Sequence, residues 1–302
     1  MENAVVSRVG AVNVVFNVLA AMRPKQWTKN AVLFAGLVFA GKMLHPDLVA
    51  RVVAAAVLFC ALSGAVYLIN DIKDIDADRL HPKKRLRPIA SGRLSVSQAW
   101  GATMLLLLFA LPGAWLLSPP FGAFAVAYLA MMLAYNLKLK EVVILDVLVI
   151  AAGFVLRAVA GSLVVGVPIS PWLYVCTSLL ALFLGFGKRR HELVLLDRSA
   201  ASHRKILDEY SPALLDQLMS AVTASTVIAY SLYSFFSETS HKAPYMMLTI
   251  PFVVYATFRY LYLIYGRGEG GSPEEALLRD RPLLGAILLW GAAVVLVIYT
   301  SA

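Results

Sequence analysis

The sequence predicts an all-α, polytopic membrane protein with nine transmembrane helices. Of 302 residues, 60% are hydrophobic and only 15% charged, too little polarity to cover one soluble core. The apolar residues gather into nine runs, most close to the ~20 residues that a helix needs to cross hydrocarbon. No run alternates with period two, which argues against a β-barrel. The chain reads as a single membrane-embedded domain over 1–302.

Residues 1–22 lack a basic leader, and their apolar run is broken by Asn13 and Asn17. They read as an interfacial helix rather than a signal peptide. The nine runs are 31–41, 48–69, 99–117, 121–137, 142–165, 172–187, 214–236, 245–265 and 282–299. The first is short, and crosses only if Trp27 to Asn30 extend it through the interface. Cys60 and Cys176 both fall in apolar runs and read as packing residues.

Basic residues set the orientation. With the N-terminus in the cytoplasm, the inside segments hold 22 of the 27 Lys and Arg residues, and the outside loops only Lys42 and Lys242. Arg51, Arg157 and Arg259 lie within runs. This asymmetry predicts a cell membrane protein with a cytoplasmic N-terminus and a polar face toward the cytoplasm. The net charge of +9 belongs to that face and suits anionic headgroups and phosphorylated substrates. Nothing resembles a soluble nucleic-acid-binding module, so nucleic acid is a poor partner.

The segment before the first run, Arg23-Pro24-Lys25-Gln26-Trp27-Thr28-Lys29-Asn30, reads by its spacing first as an interface anchor, and second as a phosphate contact through Lys25, Gln26 and Lys29. The second run ends in Asn70-Asp71-Ile72-Lys73-Asp74-Ile75-Asp76-Ala77-Asp78. If the helix continues, Tyr67, Asp71, Asp74 and Asp78 share a face while Lys73 and Asp76 point elsewhere. Carboxylates stacked on one face repel, and a hard divalent cation relieves that repulsion. Mg²⁺ (or Mn²⁺) takes oxygen ligands and bridges carboxylates to substrate phosphates. Asn70, Asp71, Asp74 and Asp78 are therefore the candidate metal ligands, and the three acids the catalytic candidates.

A basic loop follows at once, from His81 to Arg93, broken by Pro82, Pro88 and Gly92. It is either a membrane-facing patch or the cationic partner of a diphosphate, with Lys83, Arg85 and Arg87 the candidates. Residues 73–95 and 189–211 are expected to cap the cytoplasmic face. Tyr135 and Lys138 sit in the next short inside loop. Asp146 and Arg157 are eleven residues apart in the fifth run, on one helical face but too far to pair. Arg157 faces either an anion or an acid on another helix. The sixth run ends in Gly187-Lys188-Arg189-Arg190-His191-Glu192, with no second His or Cys at ligand spacing.

The motif Asn70-Asp71-x-x-Asp74-x-x-x-Asp78 after the second run resembles the first signature of the UbiA-type intramembrane prenyltransferases. That resemblance implies a helical bundle around a cytosol-facing cavity, with Mg²⁺ holding a diphosphate donor. The family's second acidic motif, after the sixth run, is replaced here by Gly187-Lys188-Arg189-Arg190. Together with Arg23-Pro24-x-Gln26-Trp27-x-Lys29-Asn30, Tyr67-Leu68-x-Asn70-Asp71, His81-Pro82-x-Lys84-Arg85-x-Arg87-Pro88 and Ala276-Leu277-x-Arg279-Asp280-Arg281, this departure resembles the decaprenyl-phosphate phosphoribosyltransferase branch.

The branch implies transfer of 5-phosphoribose from phosphoribosyl diphosphate to a polyprenyl phosphate, with release of diphosphate, in arabinan precursor synthesis for the cell wall. A donor with phosphate at both ends needs a cationic pocket apart from the metal clamp, and the charges make Lys188 and Arg189 the candidates for the 5-phosphate and Arg157 or Lys29 the candidates for the lipid phosphate. Assembly of identical copies is compatible with that branch. Two competing readings are a prenyl-diphosphate transferase and a transporter of a phosphorylated solute. Against the transporter, the polar residues cluster on one side of the membrane and no inverted repeat with broken helices is seen.

Overall fold

The computed structural model describes residues 13–196, 205–269, 271 and 273–301. Among the described residues every regular element is helical, with no strand. Eight helices are long and apolar enough to cross a membrane. The short first run behaves differently from the other eight. There an 11-residue 3₁₀ helix, Pro24–Phe34, leads into α2 (Ala35–Phe39). A 3₁₀ helix rises ~2.0 Å per residue against ~1.5 Å for an α-helix, so 24–39 reaches about 30 Å. Ahead of it, α1 covers 13–21; residues 1–12, the first part of the expected interfacial helix, lie outside the described residues.

The chain divides into two compact units, Met1–Ala31 with Val53–Asn136, and Val32–Val52 with Leu137–Ala302. In the first, α3 (Pro46–Lys73) is followed by α4 (Ile75–Leu80), α5 (Val96–Leu117) and α6 (Pro119–Leu137). Ser95 starts α5 with a reciprocal cap: its hydroxyl accepts the Gln98 amide N–H (3.2 Å), and its own N–H donates to Gln98 Oε1 (3.0 Å). A single residue, Ser118, turns α5 into α6. Phe59 of α3 meets the rings of Phe121 and Tyr128 at 5.5 and 5.3 Å. Leu68, Ile89, Leu94 and Ala99 form a second buried cluster. It seats the loop after α4 against α3, and so fixes where the basic residues of that loop stand.

In the second unit, α8 (Pro171–Leu196) packs against both α7 (Leu145–Val165) and α9 (Pro212–Phe236). A short α10 (Glu238–Lys242) precedes α11 (Ile250–Gly266), and α12 (Pro273–Arg279) precedes α13 (Arg281–Thr300). Proline opens α9, α11 and α13, where its missing N–H costs nothing. Asp280 caps α13 by accepting the Leu283 N–H (2.8 Å) and holds Arg259 of α11 through both oxygens (3.1 and 2.8 Å). Arg259, which lies inside an apolar run, thus has its acid at the end of the connector that follows α11. That bond holds the Asp280 carboxyl below its ordinary pKa.

Among the described glycines, Gly161 of α7 lies tightest against its surroundings, the chain leading to α2. A Cβ on Gly161 would stand 2.0 Å from the carbonyl oxygen of Leu33. Backbone cannot yield there as a flexible side chain would. Alanine is the better helix former by ~1 kcal/mol, yet overpacking typically costs ~1–3 kcal/mol or more. Gly161→Ala is therefore expected to lower the denaturation midpoint in detergent. Gly291→Ala in α13, where a Cβ meets nothing within 4 Å, is expected to leave it equal or slightly raised.

Candidate active site

The acid motif lies in the first unit, across the joint between α3 and α4. Asp74 departs from helical geometry (φ −94°, ψ 12°). The joint is nevertheless bridged by hydrogen bonds from Asp74 N–H to Asn70 O (2.9 Å) and from Asp78 N–H to Asp74 O (2.8 Å). The helical phase is thereby kept through the break. Asp71 and Asp78 turn inward, with side chains 2% and 4% exposed. Asn70 and Asp74 are half-buried, and Asp76 is exposed, paired with Arg79 at 3.5 Å.

Two guanidiniums meet the buried carboxylates. Arg87 Nη1 donates to Asp71 Oδ1 (3.0 Å) and also to Asp78 Oδ2 (2.6 Å). Arg23 Nη2 donates to the same Asp71 oxygen, and its guanidinium lies 4.7 Å over the Tyr67 ring. Arg23 adopts φ 56°, unusual for a residue with a side chain, and its carbonyl accepts the Gln26 N–H (2.8 Å). Around Arg87, the loop is stitched by its own polar groups. His81 Nδ1 accepts the N–H groups of Lys83 and Lys84 (3.1 and 3.3 Å), and Arg93 Nη2 donates to Leu86 O (2.5 Å). Lys83 and Arg85 stay exposed while Arg87 turns in.

Among the described residues no three His, Cys, Asp or Glu side chains form a ready-made metal cage. Asp71 and Asp78 converge instead on one point, the Arg87 nitrogen that both touch. Two hard oxygen ligands are enough for Mg²⁺, which keeps waters and takes the rest from substrate phosphates. The donor set fits a divalent cation with Asp71 and Asp78 as its innermost ligands, Asp74 and Asn70 standing further toward solvent.

Other sequence candidates in this unit are Lys25, which is exposed, and Gln26, Lys29 and Tyr135, which are half-buried; Lys138, also exposed, falls in the second unit. Lys73 Nζ donates to the backbone oxygen of Asn136 (2.6 Å), tying the end of α3 to the end of α6. The Asn136 side chain is buried and its Nδ2 has no hydrogen-bond partner.

The second unit holds a separate buried charge centre. Arg189 Nε donates to Asp146 Oδ2 (2.5 Å) and Nη1 to Glu192 Oε2 (2.6 Å). Tyr210 donates its hydroxyl hydrogen to Asp146 Oδ1 (2.7 Å) and accepts the Ile144 N–H (2.8 Å). Burial, and then the bond to Asp146, push the Tyr210 phenol above its usual pKa, so it remains a donor at neutral pH. Ile144 has φ 68° and ψ −45°, and Leu145 N–H bonds back to Val143 O (2.8 Å), a tight γ-turn rare for a β-branched residue. Arg157 is buried within α7, with Nη1 on Gly153 O (3.0 Å) and its guanidinium 5.6 Å from the Phe154 ring. Lys188 is half-buried. Helix α8 carries Lys188 to Glu192 well past the end of the apolar run, to Leu196. Of the cap expected over 189–211, residues 197–204 lie outside the described residues.

The model of the UbiA prenyltransferase family matches residues 31–276. The chain belongs to the UbiA prenyltransferase family. Curated relatives include the decaprenyl-phosphate phosphoribosyltransferase of Mycobacterium tuberculosis, 37% identical over 286 residues, covering 93% of this chain and 94% of that one. The Corynebacterium glutamicum protein of the same name is 33% identical over 294 residues, covering 95% of this chain and 88% of its own. By fold, a UbiA homolog from Archaeoglobus fulgidus bound to GPP and Mg²⁺ superposes with a TM-score of 0.71, at 20% identity, over 92% of this chain and 99% of that one. The protein is accordingly an enzyme of the transferase class.

Within this UbiA chain, sequence reasoning singled out Arg87 but passed over Arg23 and Asn136 as site residues. Arg23 was legible only through the shared Arg23-Pro24 segment, since nothing in its spacing ties it to Asp71. Arg189 is the converse case. Its guanidinium, 2% exposed, is committed to Asp146 and Glu192, so the 5-phosphate role meets a group already engaged. Removing one partner of a buried pair typically costs ~3–5 kcal/mol because the other charge is stranded. Arg189→Ala is expected to lose most of the folded yield in detergent, whereas Lys188→Ala keeps it. Size-exclusion profiles and denaturation midpoints of the two variants check this.

Proposed function

We propose that the protein transfers 5-phosphoribose from phosphoribosyl diphosphate to a polyprenyl phosphate and releases diphosphate. The likeness to curated decaprenyl-phosphate phosphoribosyltransferases along almost the whole chain carries this reading. Its chemistry agrees with the residues of the acid centre. The C1–O bond to diphosphate breaks and a C1–O bond to the lipid phosphate forms, with positive charge developing on the sugar as in glycosyl transfer generally. The lipid phosphate is already an anion, so no strong general base is required.

Asp71 and Asp78 are the groups we assign to Mg²⁺ or Mn²⁺, with Asp74 and Asn70 as outer ligands. When bound there, the metal ion would draw charge from the leaving diphosphate. Arg23 and Arg87, whose N–H groups already face the carboxylates, are assigned to diphosphate oxygens, where charge-assisted bonds are strongest. Tyr67 holds the plane of Arg23 by stacking. Lys83 and Arg85, exposed on the same loop, draw in the anionic donor. Lys25, Gln26, Lys29, Tyr135 and Lys138 are kept as contacts for substrate phosphates, Lys29 in preference to the buried Arg157 for the lipid. In the second unit we assign Lys188 to an anionic group of the substrate.

We also read the chain as crossing the cell membrane nine times, counting 24–39 as the first pass, with the N-terminus and the acid centre on the cytoplasmic side. The product would enter arabinan precursor synthesis.

A product assay with radiolabelled phosphoribosyl diphosphate and a polyprenyl phosphate tests the reaction. Asp71→Asn and Asp78→Asn are expected to lose at least about a hundredfold in turnover, the scale of losing a main electrostatic stabiliser. Asp76→Asn, on the exposed side, should stay within about twofold, since surface changes are nearly silent. A wild-type protein that turns over a prenyl diphosphate and ignores phosphoribosyl diphosphate would overturn the assignment.

The orientation has its own test. Cysteines placed at positions 83, 205 and 279 are expected to resist an impermeant thiol reagent in intact cells and to react after permeabilisation. Labelling of position 83 from outside would reverse the proposed topology.

A further inference from the structure

We propose that the Arg87 guanidinium stands in the divalent-cation position between Asp71 and Asp78, and that a diphosphate opens this position by drawing Arg87 onto its own oxygens. This rests on reading the acid pair as a metal–diphosphate site, and it adds an order to that site's loading. Metal and diphosphate bind together, and neither binds well alone.

The geometry is specific. One atom, Arg87 Nη1, lies 3.0 Å from Asp71 Oδ1 and 2.6 Å from Asp78 Oδ2, so it marks the point on which both buried carboxylates converge. Arg23 adds a second guanidinium on the same Asp71 oxygen. Two carboxylates and two guanidiniums are already balanced. A lone divalent cation would bring two uncompensated positive charges into buried surroundings and face Arg87 at contact distance.

Arg87 can leave without the loop moving. Its side chain is 24% exposed, while the neighbouring Ile89 and Leu94 are 1% exposed and pinned against α3. Departure breaks two charge-assisted hydrogen bonds, and only an anionic acceptor replaces them at equal strength. A diphosphate supplies both acceptor oxygens for Arg87 and ligands for the metal. Arg23 remains in place, held by the Tyr67 ring and by Asp71. The same exchange disfavours a sugar monophosphate, whose single phosphate must satisfy the displaced guanidinium and the metal at once.

The test is Mn²⁺ binding to the detergent-purified full chain, followed by electron paramagnetic resonance, with and without inorganic diphosphate. Each charge-assisted bond corresponds to roughly tenfold to a hundredfold in a binding constant. In the wild type, diphosphate is expected to tighten protein-bound Mn²⁺ by at least about tenfold on that scale. Arg87→Gln, which removes the competing charge, is expected to bind Mn²⁺ without diphosphate at least about tenfold more tightly than the wild type, and to gain less from added diphosphate. Asp78→Asn should lose protein-bound Mn²⁺ in both conditions.

If Arg87→Gln binds Mn²⁺ no more tightly than the wild type while Asp78→Asn abolishes binding, the exchange is refuted and the metal site stands. Wild-type protein that binds Mn²⁺ equally well with and without diphosphate refutes it too, with no variant needed. Full Mn²⁺ binding by Asp78→Asn would instead refute the metal site itself.

Discussion

The bond that most of the first unit serves is the one from Arg87 to two buried aspartates. A carboxylate that is almost fully buried is sustained only when its charge is paired and hydrogen-bonded. Asp71 and Asp78 meet that condition through Arg87 and Arg23. Everything near them is placed to make those bonds. The helical phase is kept across Asp74, the loop from His81 to Arg93 is stitched by its own donors, and Ile89 and Leu94 anchor that loop to α3. Burial of two carboxylates with two guanidiniums keeps cations and carboxylates close together, the arrangement that the proposed diphosphate site requires.

The second unit repeats the device for a different purpose. Asp146 is fully buried and takes hydrogen bonds from Arg189 and Tyr210. Arg189 shares its other side with Glu192 one turn along α8, and Tyr210 reaches back to the amide of Ile144. One phenol and one guanidinium thereby lock the start of α7 to α8 and to the segment before α9. The polar cluster joins these segments through Asp146. Basic residues that occupy the place of an acidic motif need not all face substrate.

Much of this was legible in the sequence, and the exceptions have physical causes. Hydropathy gave the helical class and the positions of eight long helices, because a run of about twenty apolar residues has few other stable forms. The 3₁₀ path of Pro24–Phe34 was not legible, since propensity does not separate a 3₁₀ turn from an α turn. The inward and outward faces of Asp71, Asp78 and Asp76 followed from helical phase alone. The pairing of Asp71 with Arg23 did not, because it joins residues 48 positions apart through tertiary packing. Arg189 is a second case of the same kind. Its charge was plain in the sequence, and its burial against Asp146, 43 residues away, was not.

Two described residues other than glycine adopt positive φ, Arg23 and Ile144, and each stands at one of the buried carboxylates. Such conformations cost ~1–3 kcal/mol and persist only where the surroundings over-determine them. For Arg23, the fixed ring of Pro24, the stack on Tyr67 and the bond to Asp71 act together, so the guanidinium is held before any substrate arrives. For Ile144, the bond from its amide to Tyr210 and the turn closed by Leu145 do the same for Asp146. Donors fixed in advance lose little freedom when charge develops beside them, and catalysis by electrostatics depends on that. Arg87 carries no such strain and bridges two acids through one nitrogen. In the proposed exchange the two arginines divide the work: Arg23, held by its backbone and by Tyr67, stays on Asp71 and offers its remaining N–H groups to the diphosphate, while Arg87 is the cation that is replaced.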